Sequence, residues 1–148
     1  MFKPFVFKKK LYMFDTDVTG IAYHSKHLEW MEAARVEMLT EIYKPVTHFL
    51  DEDNLAFVPI HIDIKYKTPV RFEETLNIEV WVEELSKIKV VLGYKMTKEV
   101  DGKAALVSSA TVELVSVFGD TKKPRKLPEN LVTAIQKSDV FKATESLV

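Results

Sequence analysis

The amino-acid sequence predicts an α+β fold: one strand, one long buried helix, then four more strands of a five-stranded antiparallel sheet. Three observations point there. Apolar residues spaced by three and four run from Ser25 to Tyr43. Later segments alternate apolar and polar residues with a period of two. Gly (4) and Pro (6) are few, which favours long regular elements over a loop-rich scaffold.

Each element follows in order. Phe5 to Phe14 carries aromatics and β-formers and reads as a first strand. The cluster Asp15-Thr16-Asp17-Val18-Thr19-Gly20 reads as a loop. Ser25 to Tyr43 reads as a helix, with Leu28, Met31, Ala34, Met38, Leu39 and Ile42 on one stripe that Trp30 and Ala33 widen. Ser25 is the expected N-cap, Glu29 suits the first turn, and Pro45 ends the helix. A loop is expected through Asp51 to Asn54. Then come three alternating strands: Ile60 to Tyr66, Leu76 to Glu83, and Lys87 to Met96. Asp101-Gly102 is a hairpin signal, and Ala104 to Phe118 is a final strand with small residues, Ser108-Ser109-Ala110, where a helix could lie close. Gly119 to Lys126 reads as a charged linker, Pro128 to Lys137 as a short helix, and the last ten residues as a tail. One helix cannot cover both faces of such a sheet, so a second copy of the chain is expected on the other face or on an open edge.

At 148 residues the chain suits a single domain, with its core over about 5–118 and a C-terminal extension over 119–148. A net charge of −1 argues against a nucleic-acid coat or a polybasic membrane anchor. The absence of Cys excludes thiolate nucleophiles, disulfides and Cys-based metal sites. At the amino end the lysines follow the aromatics, the reverse of a secretory signal, and no run approaches the ~20 apolar residues of a spanning helix. The expected location is the cytoplasm.

The stretch that can carry chemistry is Asp15 to Trp30. Two carboxylates share a loop, Gly20 follows, and His24 precedes a buried helix. The first turn of a helix has free N–H groups and the positive end of the dipole, which can polarise a carbonyl or hold an oxyanion. A carboxylate beside it can attack the carbonyl carbon or activate a water. From these residues alone the commoner reading stays open: Asp15 caps a turn and Asp17 is solvated.

At these residues the sequence resembles the hotdog-fold acyl-CoA thioesterases, closest to the 4-hydroxybenzoyl-CoA thioesterase and Tol-Pal-associated branches. The match rests on Asp15-Thr16-Asp17, Gly20 and Tyr23-His24 leading into Leu28 to Arg35, on Val58-Pro59-Ile60 through Tyr66, and on Pro69 to Leu76. The resemblance implies a helix wrapped by a sheet, homodimers or homotetramers, and a site at the subunit interface. It implies that Asp17 is the catalytic carboxylate, as nucleophile or general base. His24 then orients the thioester or assists proton transfer, and an N–H near Tyr23 or His24 faces the thioester oxygen. Gly20, Tyr23, Ser25, Val58 and Pro59 fall among the substrate-binding residues. The basic cluster for the CoA phosphates aligns in part: Lys87 matches one position, Lys89 lies two on, and Arg71 and Lys65 are further candidates. Each of these lysines also suits a solvated strand face. Val18-Thr19 and Ser25-Lys26-His27 depart from the usual pattern beside the acyl pocket.

The expected activity is hydrolysis of acyl-CoA thioesters with no cofactor, since coenzyme A is part of the substrate. Rivals on the same fold are an acyl-ACP thioesterase, a dehydratase or hydratase, and a non-catalytic acyl-binding module. No metal site is expected: His24 and His27 share a helix face, but a third ligand is missing. Glu32 is a minor rival to Asp17, and with Arg35 it most simply forms a helix-surface pair. Trp81 and His61 point away from the apolar rows of their strands.

Overall fold

The computed structural model describes residues 1–142. The elements are β1 (Phe5–Lys10), α1 (Lys26–Ile42), α2 (Phe49–Asp53), β2 (Leu55–Tyr66), β3 (Thr75–Leu85), β4 (Lys89–Val100), β5 (Lys103–Phe118) and α3 (Glu129–Lys137). The strands form one antiparallel sheet in the order β1-β3-β4-β5-β2. Period two sends Leu76, Ile78, Val80 and Val82 of β3, with Val90, Leu92, Tyr94 and Met96 of β4, to one face. α1 lies across that face and buries Trp30, Met31, Ala34, Met38 and Leu39 against it.

The helix sits off centre. It packs chiefly against β3 and β1 and meets the small residues of β5 at its amino end, where His27 bonds Ser108. β2 is therefore both a sheet edge and largely uncovered. Val58, Ile60 and Ile62 are 41%, 57% and 43% exposed, so the first part of the apolar row expected over Ile60 to Tyr66 is open in the single chain, while Ile64 packs against the core. Its alternation is also broken by a bulge between Pro59 and His61, which pair with Leu114 and Glu113 and leave Ile60 unpaired.

Other boundaries differ from expectation for local reasons. β1 stops at Lys10, and Met13–Asp15 turns as a 3-10 helix because the Asp15 carboxylate accepts from the Tyr12 N–H at 2.9 Å. The expected loop before Asn54 holds the short α2, closed by Asn54 in the left-handed region at φ 49°. The expected linker folds back on β5: the Arg125 N–H bonds the Ser116 carbonyl at 3.0 Å, and the Arg125 guanidinium reaches the Asp53 carbonyl at 2.6 Å. α3 buries Leu131 and Ile135 in the main core cluster, and Val140 bonds the Val82 N–H at 2.9 Å. Of the expected tail, residues 143–148 lie outside the described residues. Trp81 lies flat over Gly93 on the outer face. No described helix is long and apolar enough to cross a membrane.

Candidate active site

The loop between β1 and α1 is a small, well-tied structure. Thr16 and Ala22 bridge antiparallel, and the Asp17 N–H bonds the Ile21 carbonyl at 2.9 Å. Gly20 closes the turn back to the Asp17 carbonyl at 3.0 Å with φ +80°, which a Cβ would strain. The far side is fastened to the approach to β3: Ala22 N–H to Val70 carbonyl at 2.9 Å, Phe72 N–H to Gly20 carbonyl at 3.0 Å, and a bridge from Ile21 to Arg71. That approach is itself held by Lys98, whose ammonium meets the Pro69 carbonyl at 2.9 Å and Glu74 at 3.1 Å.

The two loop carboxylates separate into two jobs. Asp15 is 2% exposed and structural: it holds the Tyr12 N–H and pairs with Lys9 at 3.2 Å. Asp17 stands at the surface of the single chain, and its Oδ1 takes both the Thr19 hydroxyl at 2.5 Å and the Thr19 N–H at 2.7 Å. The Thr19 hydroxyl, then the Thr19 N–H, hold the Asp17 carboxyl below the usual carboxylate range, with a lesser pull from the Ile21 N–H. Oδ2 is left as the less encumbered oxygen.

The amino end of α1 is not capped as expected. Ser25 sits in the right-handed helical region (φ −68°, ψ −21°), and its side chain makes no capping bond. The first turn is instead closed by 3-10-type bonds: Lys26 to Tyr23, His27 to His24 and Leu28 to Ser25, at 3.0, 3.3 and 3.2 Å. The Tyr23 N–H is also taken, by the Asp15 carbonyl at 3.1 Å. The N–H groups of His24 and Ser25 have no partner among the described residues. The donors open to a carbonyl oxygen are thus His24 and Ser25, and Tyr23 drops out of that role.

Sequence reasoning missed the layer beneath. His27 is buried, and its Nδ1 is 3.0 Å from the Ser108 Oγ. Desolvation by burial, then the charge of His24, push the His27 imidazole down to about 4, so it is neutral at physiological pH. Tyr66, at the end of β2, packs edge-on against His27 (ring centroids 4.8 Å apart) and His24 (6.3 Å). Its hydroxyl donates to the His24 backbone carbonyl at 2.8 Å. The only sequence signal was the place of Tyr66 at the end of an apolar row.

The predicted residues fall into two groups. Asp17, Gly20, Tyr23, His24, Ser25 and Arg71 come together, and the Arg71 guanidinium makes no ion pair among the described residues. The others lie apart within one chain. Lys87 follows β3, whose eleven residues carry it on the order of 30 Å from Arg71. Lys89 is paired with Glu113 at 2.8 Å. Lys65 lies on the outer face beside Asp63 and Trp81. Val58 pairs with Val115, while Pro59 lines a groove of ≈ 320 Å³ between α1 and β2 with Leu28, Met31, Phe57 and Ile62. Glu32 and Arg35 also line this groove and form no ion pair with each other, contrary to expectation.

A sequence model described as the thioesterase superfamily matches residues 19–105. The chain belongs to the thioesterase superfamily. It is 28% identical over 130 residues to a protein named acyl-CoA thioesterase YbgC from Haemophilus influenzae, covering 88% of this chain and 93% of the relative. It is 25% identical over 123 residues to a 1,4-dihydroxy-2-naphthoyl-CoA hydrolase from Acaryochloris marina, covering 83% and 89%. Among solved structures it resembles a 1,4-dihydroxy-2-naphthoyl-CoA thioesterase from Synechocystis, with a TM-score of 0.82 at 20% identity over 93% of this chain and 98% of that one. The fold of this superfamily member is the hotdog fold.

Proposed function

We propose that this thioesterase hydrolyses acyl-CoA thioesters with Asp17 as the attacking group and the amino end of α1 as the oxyanion site. The observation that carries the reading is that one short loop holds both an ionised, one-side-bonded Asp17 and, at its junction with α1, N–H groups of His24 and Ser25 without partners among the described residues. Asp17 is ionised at neutral pH, and Oδ2, which carries neither Thr19 bond, is the oxygen open to attack a carbonyl carbon. Asp17 Oδ2 adds to the carbonyl carbon. The carbonyl oxygen becomes an oxyanion facing the free N–H groups. The intermediate collapses by breaking the C–S bond, and CoA leaves as a thiolate. Water then hydrolyses the mixed anhydride, releasing the acid and regenerating the Asp17 carboxylate. His24, exposed beside Tyr66, supplies or takes protons at the sulfur and the water. So written, the reaction needs no metal or redox cofactor, and coenzyme A enters as part of the substrate.

The free guanidinium of Arg71 suits a CoA phosphate near this loop. Lys87 and Lys89 serve the same site only from a second copy of the chain. We accordingly propose a homo-oligomer in which the β2 edge and the α1–β2 groove are covered by that copy. A CoA-dependent reaction suits the cytoplasm, and the YbgC relatives suit this chain better than the 4-hydroxybenzoyl-CoA branch, which rests on the motif alone.

The test is thiol release from a panel of aliphatic and aromatic acyl-CoA substrates. Asp17→Asn should lower kcat by about 10²-fold or more while leaving the fold intact. With enzyme in excess, thiol should appear ahead of free acid. Parental turnover by Asp17→Asn would reject the assignment.

A further inference from the structure

We infer that Tyr66 is a positioning residue that strengthens the oxyanion site through the His24–Ser25 peptide. The inference rests on the reading of the α1 amino end as the group that polarises the thioester.

The geometry runs through one peptide unit. The Tyr66 hydroxyl donates to the His24 carbonyl at 2.8 Å, and the His27 N–H approaches the same oxygen at 3.3 Å. In a trans peptide the C=O and N–H point in opposite directions and share one delocalised π system. Two donors on the carbonyl draw electron density toward it and make the N–H at the other end a stronger donor. That N–H belongs to Ser25 and is free among the described residues.

Tyr66 is itself held firmly. Its backbone pairs with Ser108 in β5, and its ring packs edge-on against His27, which is tied to the Ser108 hydroxyl at 3.0 Å. Strand β5, strand β2 and the start of α1 thus meet around the Tyr66 and His27 rings. The arrangement aligns the donor before substrate arrives, which is where an oxyanion site gains its effect.

The experiment compares parent, Tyr66→Phe, Ser25→Pro and the double variant in acyl-CoA hydrolysis. Tyr66→Phe keeps the ring contacts and removes only the hydroxyl. It should lower kcat about tenfold with KM and the melting temperature unchanged. The acid limb of the pH profile, set by Asp17, should stay in place. Ser25→Pro deletes the polarised N–H at a φ of −68°, which proline adopts without strain. In that background Tyr66→Phe should have no further effect on kcat. A parental kcat for Tyr66→Phe, a change confined to KM, or fully additive losses in the double variant would each overturn the inference. If Ser25→Pro does not fold, Tyr66→Phe alone still decides. Loss of activity in Asp17→Asn together with an insensitive Tyr66→Phe rejects this inference and leaves the catalytic reading standing.

Discussion

The hydroxyl of Thr19 donates to Asp17 Oδ1 at 2.5 Å, and the N–H of Thr19 reaches the same oxygen at 2.7 Å. One residue two positions along the turn thus orients the attacking carboxylate and stabilises its charged form. The hydroxyl is the larger of the two influences on the Asp17 pKa. Thr19→Val keeps the shape and removes that donor, so the carboxyl should titrate nearer its ordinary range. Because Asp17 must be ionised to attack, the acid limb of kcat/KM should move to higher pH. Thr19→Ser should leave the limb where the parent has it. An unmoved limb in Thr19→Val would separate the limb from Asp17.

His27 makes stability depend on pH. Its folded pKa of about 4 lies below the ordinary value of 6.5, so between these pH values the unfolded chain binds more protons. Stability from this group is complete above pH 6.5 and is lost as pH falls toward 4, by up to about 3 kcal/mol. His27→Gln can keep a bond to Ser108 without titrating. Urea unfolding at pH 7 and pH 4.5 should show a smaller loss in the variant than in the parent. Equal losses would mean that protonated His27 finds solvent without unfolding the site.

How far this molecule is legible from its sequence depends on the range of the interaction. The helix and β3 were readable because one buried face imposes a period on neighbouring residues, and β4 and β5 because their apolar β-formers run long between turn signals. The start of β2 was not, because Leu55, Ala56 and Phe57 run apolar without alternation, with Phe57 against Phe49 of α2, and Ile60 sits in a bulge. α2 is too short, at five residues, to show a period. The Asp17 loop was legible as a motif, but the separate task of Asp15 was not, since it depends on Lys9 and the turn at Tyr12. His27 and Ser108 are 81 positions apart, and nothing local in either segment announces their bond.

Gly93 tests the packing of the outer face. An added Cβ would collide with Trp81 Cε2 and fall 2.6 Å from Nε1, inside any allowed contact. Trp81 is held over the gap by a hydrogen bond to Glu83 and an edge contact with Phe2 at 6.3 Å. Gly93→Ala should therefore displace the indole and cost about 1–3 kcal/mol. Tryptophan fluorescence should shift together with the denaturation midpoint. Trp81→Ala with Gly93→Ala should recover part of the loss, because the clash is gone; strictly additive effects would place the strain elsewhere.

The open edge of β2 carries the last prediction. Ile62 is 43% exposed, faces the α1–β2 groove beside Leu28 and Phe57, and lies on an unpaired strand edge. A long apolar edge strand left in water is a pairing surface. That exposure is explained if a second copy covers β2, and the same copy would supply the far wall of the site. Ile62→Lys places a charge in that contact, where an unpaired buried ammonium costs several kcal/mol. Sedimentation should show a dimer or larger assembly for the parent and a shift toward monomer for the variant. Circular dichroism should be unchanged, because Ile62 is not part of the chain's own core. Activity should fall with the assembled fraction and return at higher protein concentration. A parent that sediments as a monomer while turning over acyl-CoA would show that one chain holds a complete site. Full activity in a monomeric Ile62→Lys would show the same.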